Sequence, residues 1–312
     1  MNELTMPLPV RSRVGTYGPI AVVTCSAAPK TDEHRRAAHA IADLLGGLVV
    51  EAMPGRRLAP ELLGAGLVIP CVPASLLAPI ASLCEWLELP YAGASPRAAT
   101  LASDPALVSA VLTEAGLAVP AGVAVDAMGA RVLDFLGPVS LSAIGVDDPT
   151  VGGIAATPGD LRAGLASALG RAERVWVSEL CEGTAIRIPL LRNRSGELIS
   201  SAIHDRAPGT LFAVDRPANS GSRFHPAGVT PRQDALARGA AATAYRSLGL
   251  GGVACVDLVL DGKTVTVEGI DIAPPLARGG LFAQQFAASG WAIADLLHES
   301  LAGALRVGHP AY

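Results

Sequence analysis

One stretch constrains this chain more than any other: Val253-Ala254-Cys255-Val256-Asp257-Leu258-Val259-Leu260, then Asp261-Gly262, then Lys263-Thr264-Val265-Thr266-Val267-Glu268. An Asp-Gly pair between alternating apolar runs is the strongest short-range signal for a β-hairpin. With Asp261 and Gly262 in the turn, Leu260 pairs with Lys263 and Asp257 with Thr266. Side chains alternate along a strand, so Val256, Leu258, Leu260, Val265 and Val267 share a core face. Asp257, Thr264, Thr266 and Glu268 share the other. Glu268 then becomes the diagonal neighbour of Asp257, about 7–8 Å away along the backbone. Two acids that close suit a magnesium ion carrying a nucleotide phosphate. The plain alternative is a solvated sheet face that happens to hold two acids.

The surroundings of the hairpin favour the metal reading. Before it runs Ala241 to Leu250, a helical pattern closed by Gly249; after it come Gly269-Ile270-Asp271-Ile272-Ala273-Pro274-Pro275, Gly280-Leu281-Phe282 and an amphipathic C-terminal helix. This order resembles the end of an ATP-grasp ligase, closest to the D-alanine–D-alanine ligases. Further stretches match that family in the same order. Leu89-Pro90-Tyr91-Ala92-Gly93-Ala94-Ser95 resembles the start of its central domain, and Leu112 to Pro120 the helix and turn that follow. Val175-Trp176-Val177-Ser178-Glu179-Leu180 resembles the strand that meets the adenine, and Phe224 to Val229 the end of the ω-loop. The likeness runs over about residues 15–305. It implies an α/β and α+β chain with the ATP-grasp fold and a small N-terminal parallel-sheet domain. It also implies Asp257 and Glu268 as metal ligands, and Glu179, Leu180 and Arg216 on the nucleotide side.

Residue by residue, the chemistry departs from that pattern. The family holds ATP phosphates with two lysines, and this chain has only Lys30 and Lys263, neither in place. The first family lysine falls at Pro105, where Ser103 or Asp104 can cap a helix and proline suits its first turn. The second falls near Ser142. Gly145 to Gly153 stands for the phosphate-covering loop, but Asp147 and Asp148 repel phosphate, and Gly152-Gly153 reads more simply as a turn. The arginine that stabilises the tetrahedral intermediate is replaced by Cys255, whose uncharged thiol offers an oxyanion no charge. The second-metal asparagine falls at Ile270, or two residues on at Ile272. Asp271 points to the opposite side from both and substitutes for them only if the backbone bulges. The adenine-side acid is Ser178, the ribose acid falls near Ala185, and the ω-loop lysine and tyrosine fall near Asp215 and Arg216. No residue is assigned as catalytic.

The first third reads as a βα start: a buried strand at Ile20 to Cys25 and a helix from Asp32 to Leu45. Glu33 lies near the family acid that orients the first D-alanine, although acids suit the first turn of any helix. From Leu62 to Cys84 no residue is charged, long enough for a membrane span. Pro70, Pro73 and Pro79 interrupt it, and a buried strand, loop and helix fits better. This region lacks the family's histidine and acidic turn, so the D-alanine pocket is the part of the family pattern that the sequence supports least.

Composition bounds the rest. A net charge of −4 argues against a nucleic-acid footprint. The five cysteines lie in apolar runs without ligand spacing, which fits reduced, buried thiols and a cytoplasmic protein. The sequence divides into a tail at 1–14, a parallel-sheet domain at 15–95, a central module at 96–180 and a C-terminal module at 181–312. Three functions follow: a diverged protein that has lost ligation and acts in binding or regulation; an active carboxylate–amine ligase that uses ATP and magnesium through an acyl phosphate, with Arg216 or Arg187 in place of the lysines; and a small-molecule binder using the interdomain cleft. Expected partners are a nucleotide or small molecule and a second copy of the chain, with no nucleic acid and no membrane.

Overall fold

Ile20–Cys25 (β1) is buried along its whole length, which a strand tolerates only with both faces covered. Its neighbours are both parallel: Leu48–Ala52 (β2) and Leu67–Pro70 (β3), in the order β2-β1-β3. This computed structural model describes residues 18–25, 31–52, 58–146, 151–205, 224–262, 264–277 and 279–307. Thr31–Leu45 (α1) crosses from β1 to β2 and packs Ala38, Ile41, Ala42 and Leu45 on Ile20 and Val22. The uncharged stretch resolves as expected into the end of Leu58–Leu62 (α2), β3 and Ala74–Trp86 (α3). Among the described residues no helix is long and apolar enough to cross a membrane.

Two short helices follow, each started by a side-chain cap. Ser95 accepts from Ala98 N at the head of Pro96–Ala102 (α4), and Asp104 accepts from Ala106 and Leu107 N at the head of Pro105–Glu114 (α5). Ala98, Ala99, Val108 and Leu112 join one apolar cluster with residues of the first sheet and of the hairpin.

The middle of the chain forms an antiparallel sheet from Gly122–Val125 (β4), Val139–Ala143 (β5), Gly152–Ala155 (β6) and Val175–Glu179 (β7), ordered β4-β7-β5-β6. Pro158–Leu169 (α6) packs Leu161, Leu165 and Ala168 on Leu141, Val175 and Val177. Alternation puts Ser140, Ser142, Trp176 and Ser178 on the opposite face. Gly152 and Gly153 do not form the expected turn. They open β6 at φ +132° and +130°, opposite Ser142 and Leu141.

The last sheet contains Thr184–Arg192 (β8), Leu198–Ser200 (β9), His204–Asp205 (β10), Val253–Asp261 (β11) and Thr264–Asp271 (β12). Its order is β10-β8-β11-β12, with β9 also on β8. Pro231–Ser247 (α7) covers one face with Ala237, Ala241, Ala244 and Tyr245, in the cluster that takes Val256, Leu258, Leu260 and Val267. The core face read from the alternation is therefore the observed one. At the head of β11, a Cβ on Gly252 would stand 2.9 Å from Gly93 Cα, so glycine there lets the third sheet meet the chain leaving the first. Leu281–Ala288 (α8) and Ile293–Val307 (α9) end the described chain, and Leu297 and Leu301 of α9 pack into the cluster under α1.

The register of the hairpin corrects the sequence reading. Asp261 pairs with Thr264 and Val259 with Thr266, so the pairing is shifted from the Leu260–Lys263 register. The ladder also shifts between Asp257 and Leu258: Leu258 pairs with Val267, but Asp257 pairs with Gly269 and skips Glu268. An extra residue on one strand is a β-bulge, which re-aims the side chains around it.

Candidate functional site

Asp257 sits on a central strand, and its other neighbour decides what it does. β8 and β11 are antiparallel, with Arg187 directly opposite Asp257. Arg187 Nε donates to Asp257 Oδ1 at 2.8 Å and Nη2 to Oδ2 at 2.9 Å. The two side chains are 3% and 2% exposed. Burial disfavours the guanidinium charge, but the Asp257 carboxylate outweighs it and holds the Arg187 pKa well above the ordinary arginine value. From α8, Gln285 Nε2 donates to the Arg187 carbonyl at 3.2 Å.

The bulge leaves Glu268, the second acid read as a metal ligand, out of the ladder beside Asp257. Glu268, skipped by the ladder, lines a cleft at the outer edge of β12 with Pro105, Ser109, Pro120 and Trp176. Its charge reaches Cys181, whose thiol is pushed up to about 11 by burial first and then by Glu268 and Glu179. The same bulge turns Asp271 to the side of Asp257, because Asp271 now pairs with Cys255 on the next rung of that face. This meets the condition on which Asp271 could stand in for the family asparagine. Asp271 Oδ1 accepts from Ala273 N at 2.9 Å.

The residues present do not fit a magnesium ion at Asp257. A hard dication is held by the uncompensated charge of its carboxylates, and in this buried setting the Arg187 guanidinium already neutralises Asp257 through both of its oxygens. Among the described residues no three His, Cys, Asp or Glu side chains group as metal ligands.

The other positions assigned by resemblance are mostly apolar and buried. Cys255 packs with Leu191, Phe282 and Phe286. Ile270 and Ile272 lie in the main core, and Ala185 is buried. Asp104 caps α5 and pairs with Arg174 at 2.7 Å, so the head of that helix is occupied by structural contacts. On the nucleotide side, Glu179 ends β7 and is exposed, Leu180 is half-buried, and Ser178 is buried. The Ser140 hydroxyl on the same sheet face is buried without a hydrogen-bond partner among the described residues. Arg216 and residues 147–150 lie outside the described residues.

The sequence reading missed the Arg187–Asp257 pair, weighing Arg187 only as a substitute for a lysine. The signal was present: Arg187 and Asp257 are each the lone charge inside an apolar strand, flanked by Ile186 and Ile188 or by Val256 and Leu258. A charge so placed needs an opposite partner.

Residues 150–302 match the family model of the D-ala D-ala ligase C-terminus. The D-alanine–D-alanine ligase of Chlorobium phaeovibrioides is 28% identical over 253 residues, covering 74% of this chain and 68% of that protein. The ligase of a Synechococcus strain is 27% identical over 235 residues, covering 73% and 72%. Among solved structures, the Vibrio cholerae D-alanyl-alanine synthetase A superposes with TM-score 0.78 at 14% identity, covering 93% of this chain and 99% of that one. The Bacillus anthracis D-alanine–D-alanine ligase complexed with ATP gives 0.76 at 13% identity, covering 93% and 98%. Residues 150–302 are D-alanine–D-alanine ligase-like, and the chain shares the fold of those ligases. In this ligase-like chain β8, β11 and β12 fall within the matched segment, which therefore contains the Arg187–Asp257 pair and the apolar Cys255, Ile270 and Ile272.

Proposed function

We propose that this ligase-like protein has lost normal ligation and acts by binding or regulation. The observation that carries the reading is the burial of Cys255, Ile270 and Ile272 in apolar clusters, where the resemblance expects an oxyanion arginine and a metal asparagine. Preorganised charge is usually the largest single contribution to acyl and phosphoryl transfer. A thiol and two isoleucines provide none. Proline at 105 and serine at 142 remove the phosphate lysines of the same reading. We take 15–95, 96–180 and 181–312 as the units of this protein and the space between the last two as its nucleotide side. ATP and magnesium would be cofactors only of an active form.

The test is calorimetric titration of the protein with ATP and magnesium, beside the Asp257→Ala/Glu268→Ala double variant. No binding at millimolar ATP is the expected result. Micromolar binding that the variant loses would overturn the reading and favour an active carboxylate–amine ligase with altered substrates.

A second reading, small-molecule binding, draws on one cavity. It lies between α1, the end of β3, the loop after β12 and α9, with about 620 Å³ of empty space including its open mouth. Ile69, Leu77, Leu297 and Leu301 make it apolar, and buried His34 lines it. His34 Nδ1 has no hydrogen-bond partner among the described residues, while Nε2 lies 3.3 Å from the Ala273 carbonyl. A saturable apolar dye displaced from the wild type but not bound by a Leu77→Trp variant would support it; equal binding by both would remove it.

A further inference from the structure

We propose that Arg187 is a resident cation: its guanidinium takes the place on Asp257 that a divalent ion would need, and removing it opens that place to such an ion. The inference rests on the non-ligating reading above and adds what replaced the metal.

Three observations carry it. The first is stoichiometric. A guanidinium fork matches a carboxylate with two parallel N–H···O bonds, and here both bonds form, at 2.8 and 2.9 Å, using both oxygens of Asp257. The second is positional. Arg187 is not a long side chain reaching in from a loop. Its backbone lies in β8, paired with Asp257 on one side and His204 on the other. The cation is therefore held beside the carboxylate by the sheet itself, and an external ion would have to displace an intramolecular partner.

The third observation concerns charge. Asp257 is 2% exposed, and a buried carboxylate persists as an anion only with a partner. The bulge at Glu268 brings a second acid, Asp271, to the next rung on the same face, and its charge is felt at Arg187. Two carboxylates on one face of paired strands, with a cation seated between strand neighbours, form the electrostatic pattern of a metal site satisfied from within the chain. The sheet keeps its acids, and it needs no ion to hold them.

The test is a titration with Mn²⁺ alone, followed by electron paramagnetic resonance of the free ion. The wild type is compared with Arg187→Met, which keeps an unbranched apolar stem without charge. Should that variant fail to fold, Arg187→Gln replaces it, since its amide still donates one hydrogen bond to Asp257. The uncharged pair Arg187→Met/Asp257→Leu is the control. The expected result is Mn²⁺ binding at least tenfold tighter in the single variant than in the wild type, and lost again in the control. A gain under tenfold, or a gain that survives in the control, overturns the proposal. Magnesium-dependent ATP binding by the wild type would instead sink the non-ligating reading, so the two failures are told apart.

Discussion

Asp104 and Arg174 lie 70 residues apart in sequence and meet at 2.7 Å, with Asp104 at the same time capping α5. One carboxylate thus starts a helix that packs against α4, α7 and β4 and ties that helix to the loop leading into β7 of the middle sheet. Its contributions are unequal. An N-cap is worth about 0.5–2 kcal/mol, whereas an ion pair to a half-exposed arginine is worth about 0–1 kcal/mol, and Arg174 is 50% exposed. Asp104→Asn, which keeps a capping oxygen, should lose under about 1 kcal/mol by urea denaturation. Asp104→Ala should lose about 1–2 kcal/mol. Equal losses in both would show that the ion pair, not the cap, dominates.

Gly152 and Gly153 share a positive φ but differ in their surroundings. A Cβ on Gly152 would run into the Leu141 carbonyl oxygen, while one on Gly153 meets nothing within 4 Å. Backbone strain alone costs about 1–3 kcal/mol, so Gly153→Ala should fall in that range. Gly152→Ala should cost more, because the backbone of β5 must also move. Thermal unfolding of the two variants ranks them, and the reverse order would refute the account.

Tyr245 is fully buried, and its hydroxyl donates to the Gly252 carbonyl at 2.8 Å. That carbonyl also accepts from Arg192 N, so removing the hydroxyl does not orphan it. Tyr245→Phe should therefore cost only the net worth of a hydrogen bond, about 0.5–1.5 kcal/mol. A loss well beyond that in chemical denaturation would mean the ring itself is displaced.

Alkaline pH should destabilise the fold. Burial pushes the Cys71 thiol from 9.0 to about 12. Burial also pushes the Tyr245 hydroxyl from 10.0 to about 12, against the opposing charge of Arg192. Above pH 9 the unfolded chain releases the thiol proton first and so binds fewer protons than the folded one, and stability falls as pH rises towards 12. Each such group contributes about 1.4 kcal/mol per pH unit within its window. Urea midpoints between pH 8 and 10.5 should decline less steeply in Cys71→Ala than in the wild type; parallel slopes would exclude Cys71 as a contributor.

Of the five cysteines, Cys181 alone is only half-buried. Under native conditions it should be the thiol that a maleimide labels, and slowly, because its pKa of about 11 leaves little thiolate near neutrality. Peptide mass spectrometry checks this. Native labelling of Cys255 at a comparable rate would contradict its packing against Phe282 and Phe286.

How much of this was legible varied with the range of the interaction. β1 and α1 were readable because a buried strand and an amphipathic helix announce themselves within a dozen residues. Asp104 and Pro105 marked the start of α5 because capping is a contact between near neighbours. The hairpin was readable in its faces but not in its register. Alternation sorts side chains within a strand, whereas the offset between strands was set at the turn, where Asp261 pairs with Thr264, and changed again at the bulge at Glu268. That bulge moved Glu268 to an edge cleft and Asp271 to the side of Asp257, a rearrangement no local pattern specifies.

By itself the sequence determined β1, α1, the capped start of α5 and the core face of the hairpin, since those follow from residue identity and short-range periodicity. Only the tertiary structure decided what Asp257 does. Its partner lies 70 residues away on β8, and the two meet because antiparallel strands set Arg187 across from Asp257 in a setting too dry for either charge to stand alone.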